Sequence, residues 1–330
     1  MSQDSAISAA FRLLQGGSRK ALIPYVTAGD GGLGFTRDLV LALEDAGCNL
    51  VELGVPYSDP VADGPTIQLA SERALKGGVT ISKIMEMCRG LKDVSRIPRI
   101  FMVYYNCVFR YGPQRFVGEA AHSGVSGLIV PDLPPEEGGE LEELTARSGL
   151  DLVYLLAPTS TDRRISKVAR HSRGFIYCVS LTGVTGARQA MSAELEGFIS
   201  RVRRATTMPL AVGFGISTPG HAREAGRFGD GVIVGSALID VMSRTSGGKA
   251  ALAEVRSFAS SLRRALDEAW EGTAAQAADK GATLGAVTGD AVSGAPSGCE
   301  VRDNGSDRDK GKAGRAGGPG LGEVPGEEGL

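Results

Sequence analysis

Eight short apolar runs, each followed by a segment with helical spacing, recur through the first 270 residues of this chain. They are Leu22 to Val26, Leu50 to Val55, Ile100 to Tyr105, Gly127 to Val130, Leu152 to Leu156, Phe175 to Val179, Leu210 to Phe214 and Val232 to Val234. Runs this short and this apolar read as parallel strands covered on both faces. Between them apolar residues return every three or four positions, as in Phe35, Leu39, Leu43 and Ala46. The clearest stripe is the last, through Leu252, Val255, Ala259, Leu262, Leu266 and Trp270, and it predicts an amphipathic helix. Eight strand–helix units in roughly 250 residues predict a (β/α)8 barrel. An open doubly wound sheet is the alternative, though it rarely uses so many regular repeats. The helical segment between Val79 and Leu91, and an N-terminal helix ended by Gly16-Gly17, are additions to the eight-unit plan.

After Trp270 the pattern stops. From Glu271 to Leu330 there is no aromatic residue, and Gly, Ala, Asp, Lys and Glu dominate. Such a composition cannot bury enough apolar surface to offset its ordering entropy. The sequence therefore predicts a catalytic domain over residues 1–270 and a disordered, low-complexity tail over 271–330. The whole chain is 42% hydrophobic and 22% charged, with a net charge of −2, which gives no general attraction to nucleic acid or a membrane surface. No apolar run approaches the length of a membrane span, and the N-terminus lacks the basic start and hydrophobic block of a secretory signal. The five cysteines, Cys48, Cys88, Cys107, Cys178 and Cys299, are scattered without a C-x-x-C pair. They read as reduced thiols, so a cytoplasmic location is expected. His122, His171 and His221 have no partners at ligand spacing, and no metal is expected.

In such a barrel the chemistry sits at the C-terminal ends of the strands, and the unusual residues of this chain fall there. The stretch VELGVPYSDPVADGPTIQ, Val51 to Gln68, places Glu52 within an apolar strand and Asp63 in the Pro/Gly-rich loop that follows. A buried carboxylate is costly unless it is paired or holds a proton near neutrality, the condition for a general acid or base. The bland reading is a Glu at a strand end that reaches solvent. Gly213-Phe214-Gly215 and Val234-Gly235-Ser236 follow strands 7 and 8, and Ser236 opens a short helix. Bare amides beside a helix N-terminus at this place suit a phosphate group, with Gly186 of the strand 6 loop closing a third side. Plain turns are the competing account. The loop from Leu181 to Met191 is a candidate lid, from which Thr185 could reach Asp63.

These residues together resemble the tryptophan synthase alpha subunit family. The resemblance is carried by PYVTAGD at Pro24 to Asp30, LGVPYSDPVADGPTIQ, YYN at Tyr104 to Asn106, VPDLP at Val130 to Pro134, GVTGAR at Gly183 to Arg188, GFGIS at Gly213 to Ser217 and VGSA at Val234 to Ala237. The pieces stand in the family's order and span essentially the whole barrel. The resemblance implies retro-aldol cleavage of indole-3-glycerol phosphate to indole and glyceraldehyde 3-phosphate, with no cofactor. It implies that Glu52 is the general acid/base, that Asp63 holds the indole N–H, and that Tyr177 is an accessory tyrosine. Tyr25, Ile67, Met102, Tyr104, Asp132 and Phe214 would line the indole pocket. Gly186, Gly215, Gly235 and Ser236 would hold the phosphate. It also implies an α2β2 complex in which a beta subunit carrying pyridoxal phosphate receives the indole, with Pro56 to Pro60 as contact segment.

Three features depart from the family pattern: Tyr57, where many members have Phe, Leu181 in the lid, and the Gly-rich tail. None touches Glu52, Asp63 or the phosphate loops. Rival readings are a catalytically silent activator of the beta subunit, a stand-alone indole-releasing lyase, and another phosphosugar barrel. The presence of both Glu52 and Asp63 argues against the first. No catalytic Lys stands at a strand end, as an isomerase or synthase of the same pathway would usually show.

Overall fold

The computed structural model describes residues 5–17, 19–179, 188–213, 215–245 and 247–285. The chain divides into a unit Met1–Ala282 and a unit Thr283–Leu330; of the second, only the end of one helix falls among the described residues. The strands are β1 (Ala21–Thr27), β2 (Val51–Gly54), β3 (Arg99–Met102), β4 (Val125–Ile129), β5 (Asp151–Val153), β6 (Leu155–Leu156), β7 (Ile176–Val179), β8 (Leu210–Gly213) and β9 (Gly231–Val234). The helices are α1 (Ala6–Gly16), α2 (Leu33–Asp45), α3 (Pro65–Lys76), α4 (Ile81–Leu91), α5 (Tyr105–Tyr111) and α6 (Pro113–His122). They continue with α7 (Gly139–Arg147), α8 (Asp162–His171), α9 (Arg188–Ala205), α10 (Pro219–Phe228), α11 (Ser236–Ser243) and α12 (Gly248–Gly285).

All strand pairs are parallel, in the order β5-β4-β3-β2-β1-β9-β8-β7-β6. The two ends of that order, β5 and β6, are consecutive in the chain and separated only by Tyr154. They are the two halves of the fifth expected strand. Asp151–Val153 pairs with β4 while Leu155–Leu156 pairs with β7, so the expected eight-unit barrel closes at Tyr154. The third strand is shorter than expected, because Tyr104 is the N-cap of α5 and Tyr105 its first residue.

The strands sort their side chains strictly by face. Leu22, Val26, Val51 and Leu53 point outward into the layer shared with the helices, while Ile23, Leu50, Ile100, Ile129, Val153, Phe175, Ala211 and Ile233 fill the barrel interior. Both faces being apolar explains why the runs show no alternation in sequence. Helix α1 plugs the N-terminal end: Ile7 and Phe11 join the interior cluster, and the Phe11 ring meets that of Phe175 at 5.6 Å. Its start is capped by Ser5, whose hydroxyl accepts the Ser8 amide. With one end of the barrel closed by α1, a ligand can enter only from the other. Helix α12 buries Ala251, Val255, Ala259, Leu262 and Leu266 and runs past the composition break at Trp270 to Gly285. The remainder of the expected tail, 286–330, lies outside the described residues.

Candidate active site

The centre of the site follows from the inward face of β2. Leu50 and Glu52 share that face, and Glu52 lies in register between Tyr25 of β1 and Ile100 of β3. Its side chain is completely buried. Neither carboxyl oxygen has a hydrogen-bond partner among the described residues. Burial alone pushes this carboxyl up to about 8, so the group carries a proton at neutral pH. Of the two readings open from the sequence, the buried acid is the one the fold produces.

Glu52 opens into a cavity of about 290 Å³ at the C-terminal end of the barrel. Its apolar wall comes from Tyr25, Ile67, Met102, Tyr177 and Ile233; Asp63 to Thr66 form another part, and Gly215, Ile216, Gly235 and Ser236 a third. Burial lifts the Asp63 carboxyl to about 6, partly opposed by a hydrogen bond from the Tyr104 hydroxyl. That hydroxyl accepts the Ala62 amide at 2.9 Å, so one tyrosine grips both ends of the Ala62-Asp63 step. The Tyr104 ring stacks on Tyr57 with centroids 5.1 Å apart, and the Tyr57 hydroxyl accepts a hydrogen bond from Asn106 Nδ2 at 3.1 Å. The hydroxyl of Tyr57, one of the departures from the family pattern, thus ties this loop to α5. Around pH 7 the pocket holds one carboxyl protonated and the other ionised, an arrangement that separates acid and anion roles by environment.

Tyr25 and Tyr177 are buried beside the two carboxyls, and their hydroxyls are held neutral by burial first and by the nearby carboxylate charges second. Two glycines make room for them. A Cβ on Gly54 would lie 2.0 Å from the Tyr25 Oη, and one on Gly213 would lie 2.6 Å from the Tyr177 Oη. Sequence reading did not single out these two glycines. The available signal was a glycine closing each of the short strands VELG and LAVG, a mark of close approach. At the far side Gly215 adopts φ +70°, and Gly235 is the N-cap of α11. The first amides of a helix have no intrahelical acceptor, so this wall presents donors suited to an anion.

Of the expected site residues, Glu52, Asp63, Tyr177, Tyr25, Ile67, Met102, Gly215, Gly235 and Ser236 come together around one cavity. Tyr104 acts one step back, through Asp63. Asp132 is not in the wall; its carboxylate accepts the Tyr105 amide at 2.9 Å at the start of α5, which uses it to cap a helix. Thr185, Gly186 and Phe214 lie outside the described residues, as does Leu181. Among the described residues no three His, Cys, Asp or Glu side chains are grouped to hold a metal ion.

A family model described as tryptophan synthase alpha chain matches residues 11–267. The tryptophan synthase alpha chain of Citrifermentans bemidjiense is 49% identical over 262 residues, 79% of this chain and 98% of that one. That of a Thermoanaerobacter species is 48% identical over 256 residues, 78% of this chain and 97% of that one. Among solved structures, tryptophan synthase subunit alpha from Legionella pneumophila superposes with a TM-score of 0.74 at 34% identity, covering 80% of this chain and 99% of that one. A chain of tryptophan synthase from M. tuberculosis does so with a TM-score of 0.72 at 32% identity, covering 80% and 99%.

Proposed function

Because this chain belongs to the tryptophan synthase alpha chain family, and so serves as a lyase in tryptophan biosynthesis, we propose that Glu52 and Asp63 carry its chemistry on indole-3-glycerol phosphate. The observation that carries this reading is Glu52: completely buried, without a hydrogen-bond partner among the described residues, and opening into an apolar cavity. The apolar wall takes the indole ring, and Gly215, Gly235 and Ser236 take the phosphate. Neutral Glu52 donates its proton to the indole carbon that bears the glycerol chain. The ring nitrogen supplies the electron pair and becomes positive, and its N–H donates to ionised Asp63, which stabilises that charge. The Glu52 carboxylate then accepts the proton of the adjacent glycerol hydroxyl. The carbon–carbon bond breaks, its electrons return to the ring, and indole and glyceraldehyde 3-phosphate form. Glu52 ends protonated as it began, so proton and electron counts close without a cofactor on this chain.

The reading includes a pyridoxal phosphate-bearing beta subunit in an α2β2 complex, and a cytoplasmic location. Val61, Leu69 and Phe109 support a partner surface, being 87%, 55% and 64% exposed on the loop after β2, on α3 and on α5. Exposed apolar side chains of this size suit contact with a protein partner. Among the described residues no helix is long and apolar enough to cross a membrane. The decisive experiment is indole formation from indole-3-glycerol phosphate, with and without added beta subunit. Slow turnover alone and a clear increase with the partner are expected. No indole in either condition would overturn the assignment, and full turnover without response would replace the complex with a stand-alone lyase.

A further inference from the structure

The motif PYVTAGD contributes Tyr25 to the cavity, but its last residue does something else. Asp30 is 6% exposed and receives two hydrogen bonds from Arg73 of α3, at 2.8 and 2.7 Å. It is the least exposed acid among the described ion pairs. The loop that presents it is stiff: the Gly29 amide donates to the Thr36 hydroxyl at 2.9 Å, and that hydroxyl donates to the Gly32 carbonyl. The same loop touches the chain just beyond α3, where Val79 packs so closely that a Cβ on Gly29 would fall 2.3 Å from its Cγ2.

Helix α3 has 12 residues and is about 18 Å long. Asp63 precedes its first turn. Ala70, in the middle, is buried against Tyr25 and Ile239 of α11. Thr66, in the first turn, donates to Asp240 of α11 at 3.3 Å. The helix is thus a rod resting on Ala70, with Asp63 at one end and Arg73 beyond the fulcrum at the other. An ion pair whose arginine is 48% exposed adds little stability, yet a two-pronged guanidinium–carboxylate contact fixes orientation closely.

We propose that Asp30 and Arg73 are positioning residues: their contact anchors the far end of α3 and so fixes where Asp63 stands at the mouth of the cavity. The inference rests on the role of Asp63 given above. It also separates two contributions to the site, since the phosphate wall lies at the head of α11 while the carboxylate stands at the head of α3.

The test compares Arg73→Met with the parent chain by two independent readouts. The first is the titration of the Asp63 side chain, followed by carboxyl NMR on the free protein. The second is indole formation with the beta subunit, together with competition by inorganic phosphate. With the anchor removed, Asp63 becomes more hydrated and its titration moves down from about 6 toward the ordinary 3.8. At the same time kcat falls by about tenfold, while KM and the phosphate inhibition constant stay within about twofold. Arg73→Lys, which keeps the charge without the fork, falls between parent and Arg73→Met, and it carries the same measurements if Arg73→Met does not fold. An unchanged Asp63 titration and kcat, with only a lower Tm, would overturn the proposal. Should the parent itself form no indole, the functional reading falls, and the NMR titration alone decides the anchor.

Discussion

At the scale of single residues, the site is a matter of two carboxyls in unlike surroundings. Glu52 sits near 8 and Asp63 near 6 for the same first cause, burial, which Tyr104 moderates only at Asp63. In the proposed mechanism the active form has Asp63 ionised and Glu52 protonated. The pH profile of kcat/KM should therefore be bell-shaped, rising through about 6 and falling through about 8. A profile flat from pH 5 to 9 would remove these two groups from the mechanism. Glu52→Gln keeps the shape and removes the proton, so activity should drop by roughly 100-fold or more. Stability should move the other way. The folded-state value lies above the ordinary 4.5, so the native state holds the proton more tightly than the unfolded chain does. Its contribution is complete below about 4.5 and is lost as pH rises toward about 8. Glu52→Gln has no such loss, and its Tm should exceed the parent's by a margin that widens from pH 5 to pH 8. A margin that does not change with pH would mean that Glu52 is not a buried neutral acid.

At the scale of elements, three of the helices that follow strands bear on the cavity. Helix α3 carries Asp63 at its head, α5 is entered through Tyr104, and α11 turns its N-terminus to the cavity, where the proposed reading puts the phosphate. Gly235 is the useful probe of the last. The nearest atom to a Cβ placed there is Tyr25 Cβ at 3.5 Å, an ordinary contact, so Gly235→Ala fits and isolates size from charge. Gly235→Asp puts an anion where the phosphate would lie, and should raise KM by about tenfold or more. Gly235→Ala should change it far less. Equal effects of the two variants would place the phosphate elsewhere. The glycines at Gly54 and Gly213 admit no such control, because any side chain there collides with Tyr25 or Tyr177.

At the scale of the whole molecule, the barrel is plugged at one end by α1, and the segment 286–330 has no aromatic residue and a Gly-rich composition that offers little to bury. Removing 286–330 should therefore leave Tm and indole formation essentially unchanged, and a marked loss of either would give that segment a role. The strand and helix alternation, the place of Glu52 within an apolar run and the change of composition after Trp270 were legible in the sequence. Each is a local property, carried by neighbouring residues and their periodicity. The loops that hold Asp63, Gly215 and Gly235 were legible for a similar reason, since Gly and Pro mark their own turns. The closure at Tyr154, the register that sets Tyr25, Glu52 and Ile100 side by side, the helix-capping use of Asp132 and the reach of Arg73 to Asp30 were not. Each joins residues far apart in the chain, and which of them meet is decided only when the sheet curls round and its first and last strands find each other. The amino-acid sequence by itself determined what each unit is; the closed barrel decided which side chains share one cavity.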